Sequence, residues 1–577
     1  MKNETDDIKI ETKIYNKQNE QLKNKTIMSI FSRKPLNELL TEANATGEGN
    51  LKKTFGPWGL IALGVGAVIG AGLFSITGMA AGNFAGPSIM ISFVIAALGC
   101  ALAGLCYAEF ASMIPVAGSA YTYSYATMGE FIAWVIGWDL VLEYAVGAAT
   151  VASSWSGYLN ALLQNYGYQL PPELLTTPFE GGWFNLPAVF IVVLMSLVLI
   201  KGTSESAFVN IIIVILKVAI VLVFIFVGLK YVDTQNHTPF IPENTGTFGE
   251  FGFSGIIRAA AIVFFAYIGF DAVSTAAQET KNPKKAMPIG ILGSLVICTV
   301  LYVAFAYVMT GVVDYKEFVS SEAGSHLAPV AIAIQNMGEM GANGLITPAY
   351  PWLNNAIIIA ILLGYASVIL VLLLGQSRVF YSMSKDGLLP KVFSNIHPKF
   401  QTPFKANMFF LVFVSLFAAF VPGNVVGEMT SIGTLFAFIL VCIGVLIMRK
   451  TMPDAPRAFR TPLVPFVPVL GVLVCFFMMA FLPLDTWVRL IVWMLIGLDV
   501  YYFYGMRHSR KSATETFLKD KRVLSLINII LSVVLVVVAL IHHRSTNGHD
   551  MVLYLFSLVF SAMHFIYFVY TYFANKR

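Results

Sequence analysis

Polar and apolar positions alternate along this chain on the scale of whole segments rather than single residues. Fourteen apolar runs stand out, at 57–83, 87–113, 131–157, 187–200, 206–229, 255–277, 288–312, 353–379, 406–421, 430–448, 465–483, 487–505, 523–541 and 551–573. Roughly 20 apolar residues make a helix long enough to cross the hydrocarbon of a bilayer. The runs are too uniformly apolar for barrel strands, which alternate residue by residue. The pattern predicts an all-α polytopic membrane protein with about 14 transmembrane helices, called spans 1 to 14 below. The fourth run is short, and the eleventh carries Pro465 and Pro468.

Charge gives the orientation. Only 12% of the 577 residues are charged, against roughly 25% in soluble domains. With the N-terminus inside, the outer side holds Lys230, Arg258, Lys316, Arg489 and Arg544, and Lys217 lies within span 5. Every other one of the 37 Lys and Arg then falls on the inner side, as the positive-inside rule requires. Both termini are expected in the cytoplasm and the protein in the cell membrane. Residues 1–53 are polar and of mixed charge, without a signal-peptide pattern. They read as a cytoplasmic tail in which 35–43, "PLNELLTEA", could form a short amphipathic helix. The five cysteines all sit in apolar runs, so no external disulfide framework is expected. The net charge of +5 follows the topology and gives no reason to expect nucleic acid.

The candidate chemistry lies where the spans break their own rules. Span 1 contains "GVGAVIGAGLFS", with Gly64, Gly66, Gly70 and Gly72. Each glycine weakens a helix by about 1 kcal/mol relative to alanine. Either these glycines allow close helix packing, or the helix is interrupted near 69–73. An interruption at membrane depth is tolerated only beside a polar cavity. It would expose N–H groups and a positive helix end suited to a carboxylate, and carbonyls suited to an ammonium. A zwitterionic amino acid matches both. Span 6, "FFAYIGFDAVSTAAQE", repeats the theme with Gly269 and Asp271. Asp271 is expected as the structural cap of a second half-helix. Two interrupted helices of opposite direction, five spans apart, point to an inverted-repeat transporter.

Lys217 lies about eleven residues from either end of span 5, or ~16 Å, too far to snorkel. Such a residue is a functional candidate by default. It can exchange a proton, as a proton-coupled transporter requires, or act as a fixed charge in place of a bound sodium ion. Asp139 and Glu143 lie four apart on span 3 and share a helix face. Asp139 reads as a structural acid near the inner side. Glu143 is the functional candidate: it could pair with Lys217, bind a proton, or receive a cationic side chain. There is no Walker motif, metal-ligand spacing or nucleophile–base pair, so neither an enzyme nor a bound cofactor or metal is expected.

The stretches "GPWGLIALGVGAVIGAGLFSITG", "AGSAYTYSYATMGEFIAWVIGWDLVLEYAVG", "KGTSESAFVNIIIVILKVAIV", "FFAYIGFDAVSTAAQETKNPKKAMPIGI" and "GQSRVFYSMSKDGLLP" resemble the amino acid–polyamine–organocation superfamily of secondary transporters. Within it the chain looks most like the cationic amino acid transporter branch and its bacterial relatives. The resemblance implies a five-plus-five inverted-repeat core over 54–450, with helices 1 and 6 broken, and four further helices over 451–577. It implies that the substrate carboxylate meets the N–H groups of Ala71 and Gly72 beside Gly70. The ammonium would meet carbonyls near Val68 or Ile69 and at Phe265, Ala266 and Ile268. Phe265 would close over the substrate from outside. Lys217 matches the family lysine at a former sodium position, and Glu143 matches an acid of helix 3. Relatives often have threonine or serine where this chain has Ala71, so recognition there rests on backbone alone. Ser367 is a further pocket candidate on span 8.

The expected function is secondary active, proton-coupled symport of amino acids by alternating access. The partners would be the amino acid, a proton and the bilayer, and the sequence leaves open a small membrane subunit or a specific lipid. The alternatives are a proton-independent facilitator or exchanger for cationic amino acids and, further off, an amino-acid sensor acting through the tail. A channel would need a continuous polar lining, which the few buried polar residues do not supply.

Overall fold

The structure, a computed structural model, describes residues 30–35, 56–114, 119–201, 206–275, 280–319, 328–340, 346–398, 402–455, 457–509, 514–546 and 550–574. Each of the fourteen apolar runs is helical. Among the described residues nine helices are long and apolar enough to cross a membrane, and five shorter apolar ones complete the set. Helix is the form in which apolar segments of this length pair all their backbone groups internally. Several helices outrun their apolar windows: span 8 covers Pro351–Lys385 and span 10 covers Gly423–Thr451. The windows stop at the first polar residues, whereas the hydrogen-bond ladder continues past them.

Spans 1 and 6 are the exceptions to continuity. Span 1 is helical over Pro57–Val68, opens at Ile69, and resumes from Gly72. Span 6 runs over Gly252–Val263, tightens to a short turn at Phe264–Tyr267, and resumes at Ala272. Span 7, Pro283–Val312, packs on both the inner half of span 1 and on span 2. Spans 3 and 8 pack together, as do 4 and 9. Of the last four helices, span 11 leans on spans 10 and 2, and span 12 touches spans 3, 10 and 13. Spans 13 and 14 form an antiparallel pair.

Further regular structure lies outside the apolar pattern. Ser119–Thr127, "SAYTYSYAT", is a fully buried helix ahead of span 3. Pro329–Gln335 is a short helix between spans 7 and 8, followed by a two-stranded antiparallel hairpin pairing Gly338 with Pro348. Part of the expected tail is docked on the helical body. The Ile30 amide donates to Asp520 of span 13 at 2.9 Å, and Lys34 pairs with Asp386 at 3.1 Å. The rest of residues 1–53, including 36–43 of the expected amphipathic helix, lies outside the described residues.

Candidate functional site

The two breaks lie against each other. A Cβ on Gly72 would stand 2.2 Å from the Cα of Ala266, and one on Gly269 would stand 3.1 Å from the carbonyl of Ala67. The order is antiparallel, 67 beside 269 and 72 beside 266, as an inverted repeat gives. Gly269 also has φ +108°, a conformation that favours glycine. At Ile69 the backbone is extended, with φ −71° and ψ 107°. The Gly70 carbonyl accepts the amides of Leu73 and Phe74, so the outer half-helix starts there. Among the described residues the Ala71 and Gly72 amides have no backbone acceptor. These are the first N–H groups of a half-helix, where an anion is favoured.

On span 6, Ile268 is likewise extended, with φ −61° and ψ 137°. The carbonyls of Val68 and Ala266 converge on one group, the hydroxyl of Tyr302 on span 7, at 2.9 Å each. Val68, Ile69, Ala71, Phe265, Ala266 and Ile268 are all buried. Phe265 lies near Gly147 of span 3, whose absent Cβ would meet Thr430 Cγ2 at 3.3 Å, Leu372 Cδ1 at 3.7 Å and Phe265 Cε2 at 4.0 Å. The wall beside the breaks is therefore apolar. Val368 of span 8 faces Gly70, and Ser367 is its buried neighbour.

Lys217 is 1% exposed, and its Nζ donates to the Gly66 carbonyl at 2.8 Å. Its alkyl stem fills the space that a side chain at Gly364 of span 8 would need. Among the described residues no ion pair joins Lys217 to Glu143. Glu143 is fully buried, with its carboxyl beside that of Asp271. It lies in a wider turn of span 3, Leu142–Val146, within electrostatic range of Asp271 and Asp139. Asp139 is also buried, with both oxygens unpartnered among the described residues. Asp271 accepts the hydroxyl of Tyr144, one residue after Glu143, and that of Ser119 at 3.4 Å. Its described side-chain bonds reach across to span 3 and the Ser119–Thr127 helix.

Above the breaks the outer half of span 1 is tied down. Ser75 Oγ and Tyr365 Oη are 2.8 Å apart, and Tyr158 donates to the Phe74 carbonyl. Tyr302, Tyr365, Tyr158 and Tyr144 are the site residues that sequence reasoning missed. Tyr302, Tyr365 and Tyr144 sit in apolar runs and Tyr158 at the edge of one, where a tyrosine has the same periodicity as a phenylalanine.

Two broken helices in contact, with amides lacking a backbone acceptor on one side and converging carbonyls on the other, mark the centre of this multi-helix membrane fold. The pattern of the amino acid permease family matches residues 55–499, and the chain belongs to that family. It is 44% identical over 486 residues to the branched-chain amino acid permease BcaP of Bacillus subtilis (strain 168), covering 84% of this chain and 99% of that protein. It is 40% identical over 483 residues to the methylthioribose transporter of the same organism, covering 83% and 99%. Cationic amino acid transporter 1 of Arabidopsis thaliana is 28% identical over 555 residues, covering 86% and 89%. The protein is thus an amino acid permease of the amino acid–polyamine–organocation superfamily and not an enzyme. Spans 13 and 14 lie beyond the family match.

Proposed function

We propose that this permease imports neutral, branched apolar amino acids together with a proton, by alternating access. Residues 54–450 would form the transport core and 451–577 an accessory unit, in the cell membrane with both termini inside. Ala71 and Gly72 would receive the substrate carboxylate. Val68, Ile69, Phe265, Ala266 and Ile268 would offer carbonyls to its ammonium, and Gly70 would give the chain room to turn. The apolar wall of Phe265, Leu372 and Thr430 above Gly147 supports a branched aliphatic side chain, and the likeness to BcaP supports the same class. Ser367 would border this pocket.

The observation that carries the coupling is Lys217. A lone ammonium in the middle of a span, bonded to a carbonyl of the inner half of span 1, can hold that half-helix when charged and release it when neutral. Proton exchange there would set which way the carrier faces. Glu143 would be the second proton site, as a buried carboxyl of span 3 beside Asp271 and Asp139.

A second reading has Glu143 receive the side chain of a cationic substrate, and the likeness to cationic amino acid transporter 1 favours that reading. Uptake of radiolabelled leucine, arginine and methylthioribose into proteoliposomes, with and without an inward proton gradient, separates these. Gradient-dependent leucine uptake is expected. Arginine uptake indifferent to the gradient would replace symport with a cationic facilitator or exchanger.

A further inference from the structure

The hydroxyl of Tyr302 stands 2.9 Å from the carbonyl of Val68 and 2.9 Å from that of Ala266. The first carbonyl ends the inner half of span 1, and the second belongs to the turn of span 6. Tyr302 is fully buried, with its ring against Phe93 and Tyr267 at centroid distances of 5.4 and 5.3 Å. Its other polar neighbours include the thiol of Cys298, a weak donor, and the Tyr267 hydroxyl, which donates to the Phe93 carbonyl. A tyrosine hydroxyl carries one proton. The two carbonyls therefore share one hydroxyl proton, and one of them is left short of a strong donor.

We propose that Tyr302 is a positioning residue for recognition of the substrate's ammonium group. It holds the Val68 and Ala266 carbonyls on one point, so that the three N–H donors of an ammonium meet both at once. The donor deficit is what the ammonium fills. Because one carbonyl belongs to each broken helix, filling the site engages both helices together. An aromatic ring packed on span 7 keeps this geometry while the half-helices move around it. The inference rests on the breaks being the substrate site.

The test compares competition by an amino acid and by its desamino counterpart in membrane vesicles, for wild type and Tyr302→Phe. The pair is leucine with 4-methylpentanoate, or arginine with 5-guanidinopentanoate if arginine is what the vesicles take up. Phenylalanine retains the ring packing and removes only the hydroxyl. Wild type is expected to prefer the amino acid by about a hundredfold or more, the scale of two charge-assisted hydrogen bonds. In Tyr302→Phe that ratio is expected to fall about tenfold, with KM raised and Vmax within about threefold. A merely structural loss would weaken both competitors alike and leave the ratio unchanged, which would overturn the proposal. Should the phenylalanine variant not reach the membrane, Tyr302→Met deletes the same hydroxyl with a side chain that fills irregular space. A wild-type ratio near one would instead reject the breaks as the ammonium site, a failure distinct from that of Tyr302.

Discussion

Gly72 of span 1 lies directly against the backbone of Ala266 in span 6, with room for a hydrogen and nothing larger. A Cβ there would stand 2.2 Å from the Ala266 Cα and 2.6 Å from its nitrogen. Backbone cannot rotate out of the way as a side chain can. Gly72→Ala is therefore expected to force the breaks apart, with an overpacking penalty of about 1–3 kcal/mol or more. Substrate uptake in vesicles should fall at least about tenfold. Wild-type uptake by this variant would show that the two breaks do not need to touch.

The outer tie is expected to set how often the extracellular path opens. Tyr365 and Ser75 share a hydrogen bond of 2.8 Å between span 8 and the outer half of span 1. Such a bond contributes about 0.5–1.5 kcal/mol. Tyr365→Phe should shift the balance toward outward opening by roughly two- to tenfold. Thr150 of span 3 and Ile76 of span 1 both border Gly427 of span 10, and the rate at which an external thiol reagent labels Thr150→Cys reads this shift, in a background without the five native cysteines. An unchanged labelling rate would mean the outer path is held shut elsewhere.

A different cluster ties span 2 to the end of span 10 and the segment that follows it. Glu109 of span 2 is fully buried and pairs with Arg449 at 2.9 Å and Arg457 at 3.1 Å. It also accepts the Thr461 amide at 2.8 Å. Removing one member of a buried ion cluster leaves charge uncompensated and costs about 3–5 kcal/mol. Glu109→Gln should lower the melting temperature of the detergent-purified protein by several degrees, while KM of the surviving fraction stays near wild type. A changed KM with an unchanged melting temperature would assign Glu109 to the transport step.

Hydropathy and glycine placement made the spans, both breaks and the buried Lys217 readable before any coordinates. The reason is that a glycine cluster, a mid-span aspartate and a mid-span lysine all violate what a bilayer tolerates. What they bond to was not readable. The Gly66 carbonyl carries no side-chain signature, so the partner of Lys217 emerges only from packing. Tyr302, Tyr144 and Tyr365 act through a hydroxyl that hydropathy scarcely registers. The Ser119–Thr127 helix has small polar residues on every side and no apolar stripe. It is buried because spans and loops surround it, which is a tertiary cause. The docking of Ile30 and Lys34 on Asp520 and Asp386 depends on residues some 350 to 490 positions away.

The central claim is that Lys217 links a proton to the inner half of span 1, and one comparison tests it most directly. Wild type and Lys217→Met are placed in proteoliposomes and followed for two activities with radiolabelled substrate. One is accumulation against a gradient, driven by inward protons; the other is exchange with substrate loaded inside. Wild type is expected to do both. Lys217→Met should lose proton-driven accumulation by at least about tenfold, while exchange, which needs no proton step, persists. Full proton-driven accumulation by Lys217→Met would contradict the account.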